Sequence, residues 1–298
     1  MKSKRAEFFD DVILSGPGQA EFEEKVYGEE QAKRWPRVEK GSGKFEGQVV
    51  IVTGAAGGQG EMEAKMFAQQ GATVYMTDVK EDGLRRVEAQ IRDDGGEAVV
   101  FPMDVVDEVA WQKLVEKILD EQGHLDVLVN NAGICVNGSV LTASRQDLER
   151  MMDVDCWGVY NGMHYCAQAI IDSGGGAIVN TCSYQGNHFG PGNLIGYAMA
   201  KAAALGATRA AATDLGAYGV RVNAVNPGLI LTDMTLPRGQ NRKGLSEASS
   251  MKRYALPEEI ASVALFLASD DASFINGESI AADGGATTYL HLATADKQ

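Results

Sequence analysis

From Gln48 onward short apolar runs alternate with helical segments, and this alternation constrains the fold more than any other feature of the chain. The runs are Val49-Val50-Ile51-Val52, Thr73-Val74-Tyr75-Met76, Ala98-Val99-Val100-Phe101, Val127-Leu128-Val129, Ala177-Ile178-Val179, Val220-Arg221-Val222-Asn223-Ala224-Val225 and Glu278-Ser279-Ile280-Ala281. Continuous apolar runs are buried on both faces, which predicts parallel strands covered by helices on either side. Seven strands joined by helices make repeated βαβ units and hence an α/β, doubly wound sheet. The chain carries no internal sequence repeat and no low-complexity tract.

Residues 1–46 differ in kind: they mix charges and are poor in apolar side chains, with Phe22, Val26 and Trp35 too sparse to build a core. Gly41-Ser42-Gly43 punctuates the boundary, as glycine-rich turns do. The expected organisation is an N-terminal extension, 1–46, and one large domain, 47–298. Within the extension, Ala20 to Trp35 is open to two readings, a disordered tail or a helix that docks on the body or on a neighbouring subunit and ends at Trp35-Pro36. The net charge of -14 disfavours binding to nucleic acid or to anionic membrane surfaces. No segment approaches the roughly 18 apolar residues of a membrane span, and Glu7, Asp10 and Asp11 interrupt any signal-like start. Cys135, Cys156, Cys166 and Cys182 show no paired metal spacing and read as free thiols of a cytoplasmic protein.

Directly after the first run comes Thr53-Gly54-Ala55-Ala56-Gly57-Gly58-Gln59-Gly60, leading into a helix with Met62 and Met66, which read as core. Glycines between strand and helix permit a tight turn and let the backbone approach a pyrophosphate at the helix N-terminus. That placement makes the sheet a Rossmann-type, dinucleotide-binding one. Asp78 closes the second run, 78 − 60 = 18 residues after Gly60, near the spacing at which a carboxylate accepts from the adenosine ribose hydroxyls. It would repel a 2′-phosphate, and Gly57 and Val79 supply no basic counterpart, so NAD(H) is the expected cofactor. Tyr197 and Lys201 stand four residues apart, about one helical turn, with Ser183 upstream. A cation beside a phenol favours its ionised form, which would fit the pair for proton transfer at a carbonyl or alcohol.

Taken in order, these motifs resemble the short-chain dehydrogenase/reductases over about Gly47 to Tyr289. Added to those above are Asp104-Val105, Asn130-Asn131-Ala132-Gly133, Asn226-Pro227-Gly228 with Thr232, and Asp283-Gly284-Gly285. The resemblance implies that Gly54, Gly57, Gly58, Gln59 and Gly60 cradle the cofactor, and that Asp78 and Val79 meet its ribose. Asp104 and Val105 would hold the adenine, and Asn131, Ala132 and Gly133 would line the cofactor. Pro227, Gly228, Ile230 and Thr232 would hold the nicotinamide and its carboxamide. Tyr197 would act as proton donor, Ser183 would hydrogen-bond the substrate oxygen, and Lys201 would bind the nicotinamide ribose and lower the Tyr197 pKa.

Two positions depart from the family pattern. Asp155 stands where the family has an asparagine supporting a helix irregularity in the proton relay, and it is expected to be tolerated there. Gln59 replaces an aliphatic residue and is expected either to reach the cofactor or to face solvent.

Substrate contacts are expected on Ile134 to Val140, on Tyr184 to Leu194 and on a lid from Met234 to Leu256, with Ser183, Gln185, His188 and Tyr197 as substrate-binding residues. The first two stretches hold no Lys or Arg, which favours a small, apolar, uncharged ketone or alcohol. Within the family this pocket resembles that of bacterial hydroxysteroid dehydrogenases, including the 20β type. Dehydrogenases of terpenoid alcohols such as carveol and a catalytically silent NAD-binding regulator are the alternatives. A homotetramer is expected, built partly on helices over about 144–173 and 197–218, with the N-terminal extension wrapping a neighbour.

Overall fold

The computed structural model describes residues 43–188, 190, 192–232, 234, 249–251 and 253–288. The expected helix at Ala20 to Trp35, most of the extension and much of the 234–256 lid lie outside the described residues.

All seven expected strands form: β1 Val49–Thr53, β2 Thr73–Thr77, β3 Glu97–Val100, β4 Val127–Asn130, β5 Gly176–Thr181, β6 Val220–Pro227 and β7 Ser279–Ala282. Their spatial order is β3-β2-β1-β4-β5-β6-β7, and every pairing is parallel. The helices are α1 Gly58–Gln69, α2 Glu81–Asp93, α3 Glu108–Gln122, α4 Arg145–Met152, α5 Gly158–Asp172, α6 Ile195–Leu215 and α7 Pro257–Ala268. Parallel strands need crossovers, and right-handed crossovers started from β1 in both directions lay helices on opposite faces.

The strand residues divide accordingly. Val50, Val52, Val74, Met76, Val127, Val129 and Val179 pack with Phe67 of α1, Leu84 and Val87 of α2 and Ile260 and Ala264 of α7. Ile51, Tyr75, Leu128, Ile178 and Val222 face the other way, toward Trp111 and Leu114 of α3, Cys166 and Ile170 of α5 and Ala204 and Leu205 of α6. Met66 packs against the first of these layers, as expected of a core residue.

The strand order reverses between β1 and β4, and that switch point opens a crevice at the carboxyl ends of the strands. The long helix expected from 144 to 173 is not continuous. Between α4 and α5 the backbone widens into one π-helical turn, Asp153–Trp157, in which the Gly158 amide reaches back to the Asp153 carbonyl. Single π turns inside helices recur at functional sites.

Candidate functional site

The glycine loop is built by steric exclusion. Gly54 and Gly58 have φ of 68° and 57°, a left-handed conformation that disfavours any side chain. A Cβ on Gly54 would lie 2.9 Å from the Ala132 Cα, and one on Gly60 would fall well inside contact with the Gly54 carbonyl. The loop therefore presses on the end of β4, and Asn131 sews the two together by donating from Nδ2 to the Thr53 carbonyl at 3.0 Å. The Thr53 hydroxyl accepts from the Asn131 and Ala132 amides, both at 2.9 Å. Helix α1 opens with Gly57 as its N-cap and no side-chain cap, so its first amides are free for an anion such as a pyrophosphate.

Asp78 lies against this loop: one oxygen accepts from the Ala56 amide at 3.2 Å and the other from Lys80 at 3.0 Å. Val79 beside it is exposed. Across the crevice, Thr232 stands next to Gly58, whose Cβ would meet the Thr232 methyl at 3.3 Å. Gly228 donates to the Ala282 carbonyl at 3.0 Å and leaves no room for a side chain against Asp283, and Ile230 is buried nearby. The Asp104 carboxylate caps the Val106 amide at 3.2 Å. Val105 packs against Gly158, while its carbonyl accepts from Trp111 Nε1 at 2.8 Å. The groups expected to hold a dinucleotide thus line one continuous edge of the sheet, and their close-packed glycine backbone fits such a cofactor.

Tyr197 and Lys201 project from the first two turns of α6. Backbone bonds between Gly138 and both Asn193 and Ile195, at 2.9 and 3.1 Å, fasten the 134–143 loop to the start of that helix. Lys201 is 3% exposed and Asp155 is fully buried. The ammonium donates to the Thr181 carbonyl at 2.8 Å and sits 3.1 Å from Asp155 Oδ1. That oxygen has no well-aligned hydrogen bond, so the contact is an ion pair by distance. Asp155 Oδ2 accepts from the Ile134 amide at 3.0 Å. A Cβ on Gly133 would lie 2.5 Å from Asp155 Oδ1 and 3.2 Å from Lys201 Nζ. Gly133 therefore serves the ion pair rather than the cofactor alone. The π turn is what carries Asp155 inward to meet the lysine.

The Ser183 hydroxyl lies beside the Tyr197 phenol and favours its ionised form, while it accepts from the Gln185 amide at 3.1 Å. The expectation that Lys201 lowers the Tyr197 pKa holds for that one contribution but not for the sum. Burial pushes the phenol up to about 12, the lysine charge offsets part of this, and the charges of Asp155 and Cys135 add to the rise. Tyr197 stays partly exposed at the crevice, and its neutral phenol is favoured. Burial also opposes ionisation of Asp155, with Lys201 and the Ile134 amide working against it. Lys201 is held protonated by Asp155 despite its burial.

Gln59 does not face solvent, the second of its expected courses. It is buried and turns away from the crevice, donating to Glu63 Oε1 at 2.8 Å and to the Thr181 hydroxyl at 3.3 Å. Helix α1 presents this position to the sheet layer, so its side chain reaches β5 rather than the cofactor edge. Gln185 is half-buried near Ser183, whereas His188 is exposed and accepts from Asn187 Nδ2 at 3.1 Å. Tyr184 is buried beside a small cavity shared with Leu229, Met251, Ile260 and Asp283. A broad surface depression lies at the opposite, amino-terminal edge of the sheet, around Gly175, Gly219, Arg221 and Phe274. None of the expected site residues lines it. Among the described residues no cluster of metal-ligating side chains occurs, and no helix is long and apolar enough to cross a membrane. All four cysteines are free thiols.

A doubly wound parallel sheet with a glycine loop at its switch point and a Ser-Tyr-Lys group beside it defines a nucleotide-dependent oxidoreductase of the short-chain type. The chain belongs to the short-chain dehydrogenase/reductase family: a family model described as Enoyl-(Acyl carrier protein) reductase matches residues 54–287. It is 41% identical to a meso-2,3-butanediol dehydrogenase of Serratia marcescens, over 82% of this chain and 96% of that one. It is 37% identical to a cyclopentanol dehydrogenase of Comamonas testosteroni, over 82% and 99% of the two chains. Among solved structures, levodione reductase superposes with a TM-score of 0.78 at 32% identity, over 83% of this chain and 100% of that one. The match to the Serratia enzyme covers 245 residues and leaves about 50 residues of this chain unmatched.

Proposed function

We propose that the protein interconverts a secondary alcohol and a ketone with NAD(H), on an apolar, uncharged substrate. The observation that carries this reading is one cluster at the crevice: Lys201 fixed between the Thr181 carbonyl and Asp155, with Tyr197 one turn before it and Ser183 beside the phenol. When bound, NAD(H) supplies or takes the hydride. In reduction the neutral Tyr197 phenol gives its proton to the ketone oxygen as the carbonyl carbon is reduced, and Ser183 donates a hydrogen bond to that oxygen. In oxidation Tyr197 removes the alcohol proton. Lys201, kept cationic by Asp155, steadies the phenolate that each reduction leaves behind. Asp155 acts through Lys201 and does not touch the substrate.

The choice of NAD over NADP rests on Asp78. Its carboxylate accepts from the Ala56 amide of the glycine loop, and a 2′-phosphate brought beside it would meet a like charge at a cost of several kcal/mol. Two readings of the substrate follow. A hydroxysteroid, including one oxidised at the 20β position, suits the uncharged 134–140 and 184–188 loops with their exposed Val140. A small cyclic or vicinal alcohol is favoured by the likeness to dehydrogenases of butanediol and cyclopentanol. A tetramer with the 1–46 extension laid on a neighbouring subunit completes the proposal, supported by exposed Trp157 at the end of the π turn, Tyr160 on α5 and Met199 on α6.

Rates with NADH and NADPH on 20-, 17-, 7- and 3-ketosteroids, acetoin, cyclopentanone and cyclohexanone test this. Turnover with NADH on one class assigns the substrate, absence of ketosteroid turnover removes the steroid reading, and absence of any turnover removes the enzymatic one.

A further inference from the structure

A second polar group lies buried on the other face of the sheet, behind the catalytic lysine. Glu63 has no exposed surface, and its Oε2 has no hydrogen-bond partner among the described residues. Its Oε1 accepts from Gln59 Nε2 at 2.8 Å. The same Gln59 nitrogen has a second N–H, which reaches the Thr181 hydroxyl at 3.3 Å. Thr181 is the last residue of β5, and its carbonyl is the acceptor that holds Lys201 Nζ at 2.8 Å. A chain of contacts thus runs from Glu63 through Gln59 and Thr181 to Lys201 and Asp155. The first two members stand on α1, whose opening turn also forms the glycine loop. The surrounding layer, with Ala64, Phe67, Val179 and Ala264, is apolar.

Burying two polar side chains in such a layer costs free energy unless they are bonded, and a carboxyl there is driven to its neutral form. Burial indeed pushes Glu63 up to about 8, against the opposing hydrogen bond from Gln59. A neutral carboxyl with one acceptor oxygen turned to Gln59 fixes which way the amide points. The amide in turn directs both its N–H groups, one to Glu63 and one to Thr181. An aliphatic pair would fill the same space without setting the end of β5.

We propose that Gln59 and Glu63 are positioning residues that tie the glycine loop to the catalytic lysine by fixing Thr181 at the end of β5. This rests on the reading of Lys201 as part of the reaction site. The side chains of both residues turn into the sheet layer rather than into the crevice, so their effect falls on where the Lys201 ammonium sits.

The test compares Gln59→Leu, Glu63→Leu and Glu63→Gln in the full-length protein. Two readouts are used: NADH-dependent reduction of the best ketone from the panel above, and the 1H–15N signal of the Lys201 ammonium. Lys201→Met identifies that signal by its loss. Gln59→Leu and Glu63→Leu are expected to lower kcat about tenfold with the ketone KM held within about twofold, and to shift or broaden the ammonium signal. Glu63→Gln keeps an acceptor oxygen and is expected to restore kcat to within about twofold of wild type. A Gln59→Leu variant with an unchanged ammonium signal overturns the proposal, whatever its rate. If the wild-type protein reduces no ketone, the reading of function fails, and the ammonium spectra alone decide the positioning role.

Discussion

The two halves of the crevice are built on different physics. On the β1–β2 side, shape is set by backbone: Gly54, Gly58 and Gly60 pack where side chains cannot, and Asn131 and Thr53 bind the loop to β4. On the β5–α6 side, shape is set by buried charge: Lys201 and Asp155 lie 3.1 Å apart out of contact with water, beside a phenol. The first half excludes atoms, and the second stabilises protonation states. A steric site fails when something is added to it, whereas an electrostatic site fails when a partner is removed.

Tyr197→Phe should break the second half outright. Removing the proton donor is expected to lower kcat by roughly 10²- to 10⁴-fold, with NADH binding, followed by its fluorescence, kept within a few-fold. Full activity in this variant would show that another group delivers the proton.

Gly60→Val should break the first half instead. The added side chain meets the Gly54 carbonyl, an overpacking that costs about 1–3 kcal/mol. A lowered Tm and loss of NADH binding are expected.

The electrostatic half is sharpened by Asp155→Asn, which keeps the shape and removes one charge. The Tyr197 phenol is raised to about 12 in part by Asp155, so its neutral form persists through neutral pH. Ketone reduction, which needs the phenol, should stay level from pH 7 and fall only as pH approaches 12. Alcohol oxidation, which needs the phenolate, should climb throughout that interval. In Asp155→Asn the rise of oxidation should move to lower pH, because the lysine charge acts unopposed. An unmoved profile would detach Asp155 from the proton chemistry. The wild-type enzyme is expected to be active with its aspartate; a wild type without turnover beside an active Asp155→Asn would reverse that. Asp155→Leu leaves Lys201 buried and unpaired and should cost about 3–5 kcal/mol of stability.

Asp78→Ala tests the cofactor edge without touching the glycines. The ratio of kcat/KM for NADH over NADPH should fall by roughly tenfold or more, since about 1.4 kcal/mol of lost repulsion is a factor of ten. A ratio that does not change would place the 2′ hydroxyl elsewhere. The smallest effect belongs to exposed Leu141 in the 134–143 loop. Leu141→Ser should change stability by less than about 0.5 kcal/mol while raising the ketone KM a few-fold if that loop meets the substrate.

How far the chain announced this arrangement varies with the kind of contact. The seven strands were legible to within two residues at each end, because two-faced burial writes itself as consecutive Val, Ile and Leu. The glycine loop, Ser183, Tyr197 and Lys201 were legible because each motif is local and falls in a fixed order. The inward turn of Gln59 was not, since position 59 says nothing of which residues 122 positions away face it at the end of β5. The reason for Gly133 was equally hidden: its hydrogen leaves room for an ion pair between Asp155 and Lys201, which approach from two different helical stretches. The sign of the Tyr197 shift was missed for the same cause. Sequence spacing showed the nearby cation but not the burial that outweighs it.

By itself, then, the sequence determined the parallel sheet and the order of the motifs, Tyr197 and Lys201 among them, because these depend on periodicity and on neighbours within a turn or two. Only the tertiary structure decided that Asp155 answers Lys201, that Gln59 and Glu63 stand behind them and that the Tyr197 phenol is held neutral. Those outcomes depend on distance and burial among groups far apart in the chain, and Coulomb interactions and desolvation are set by folded geometry alone.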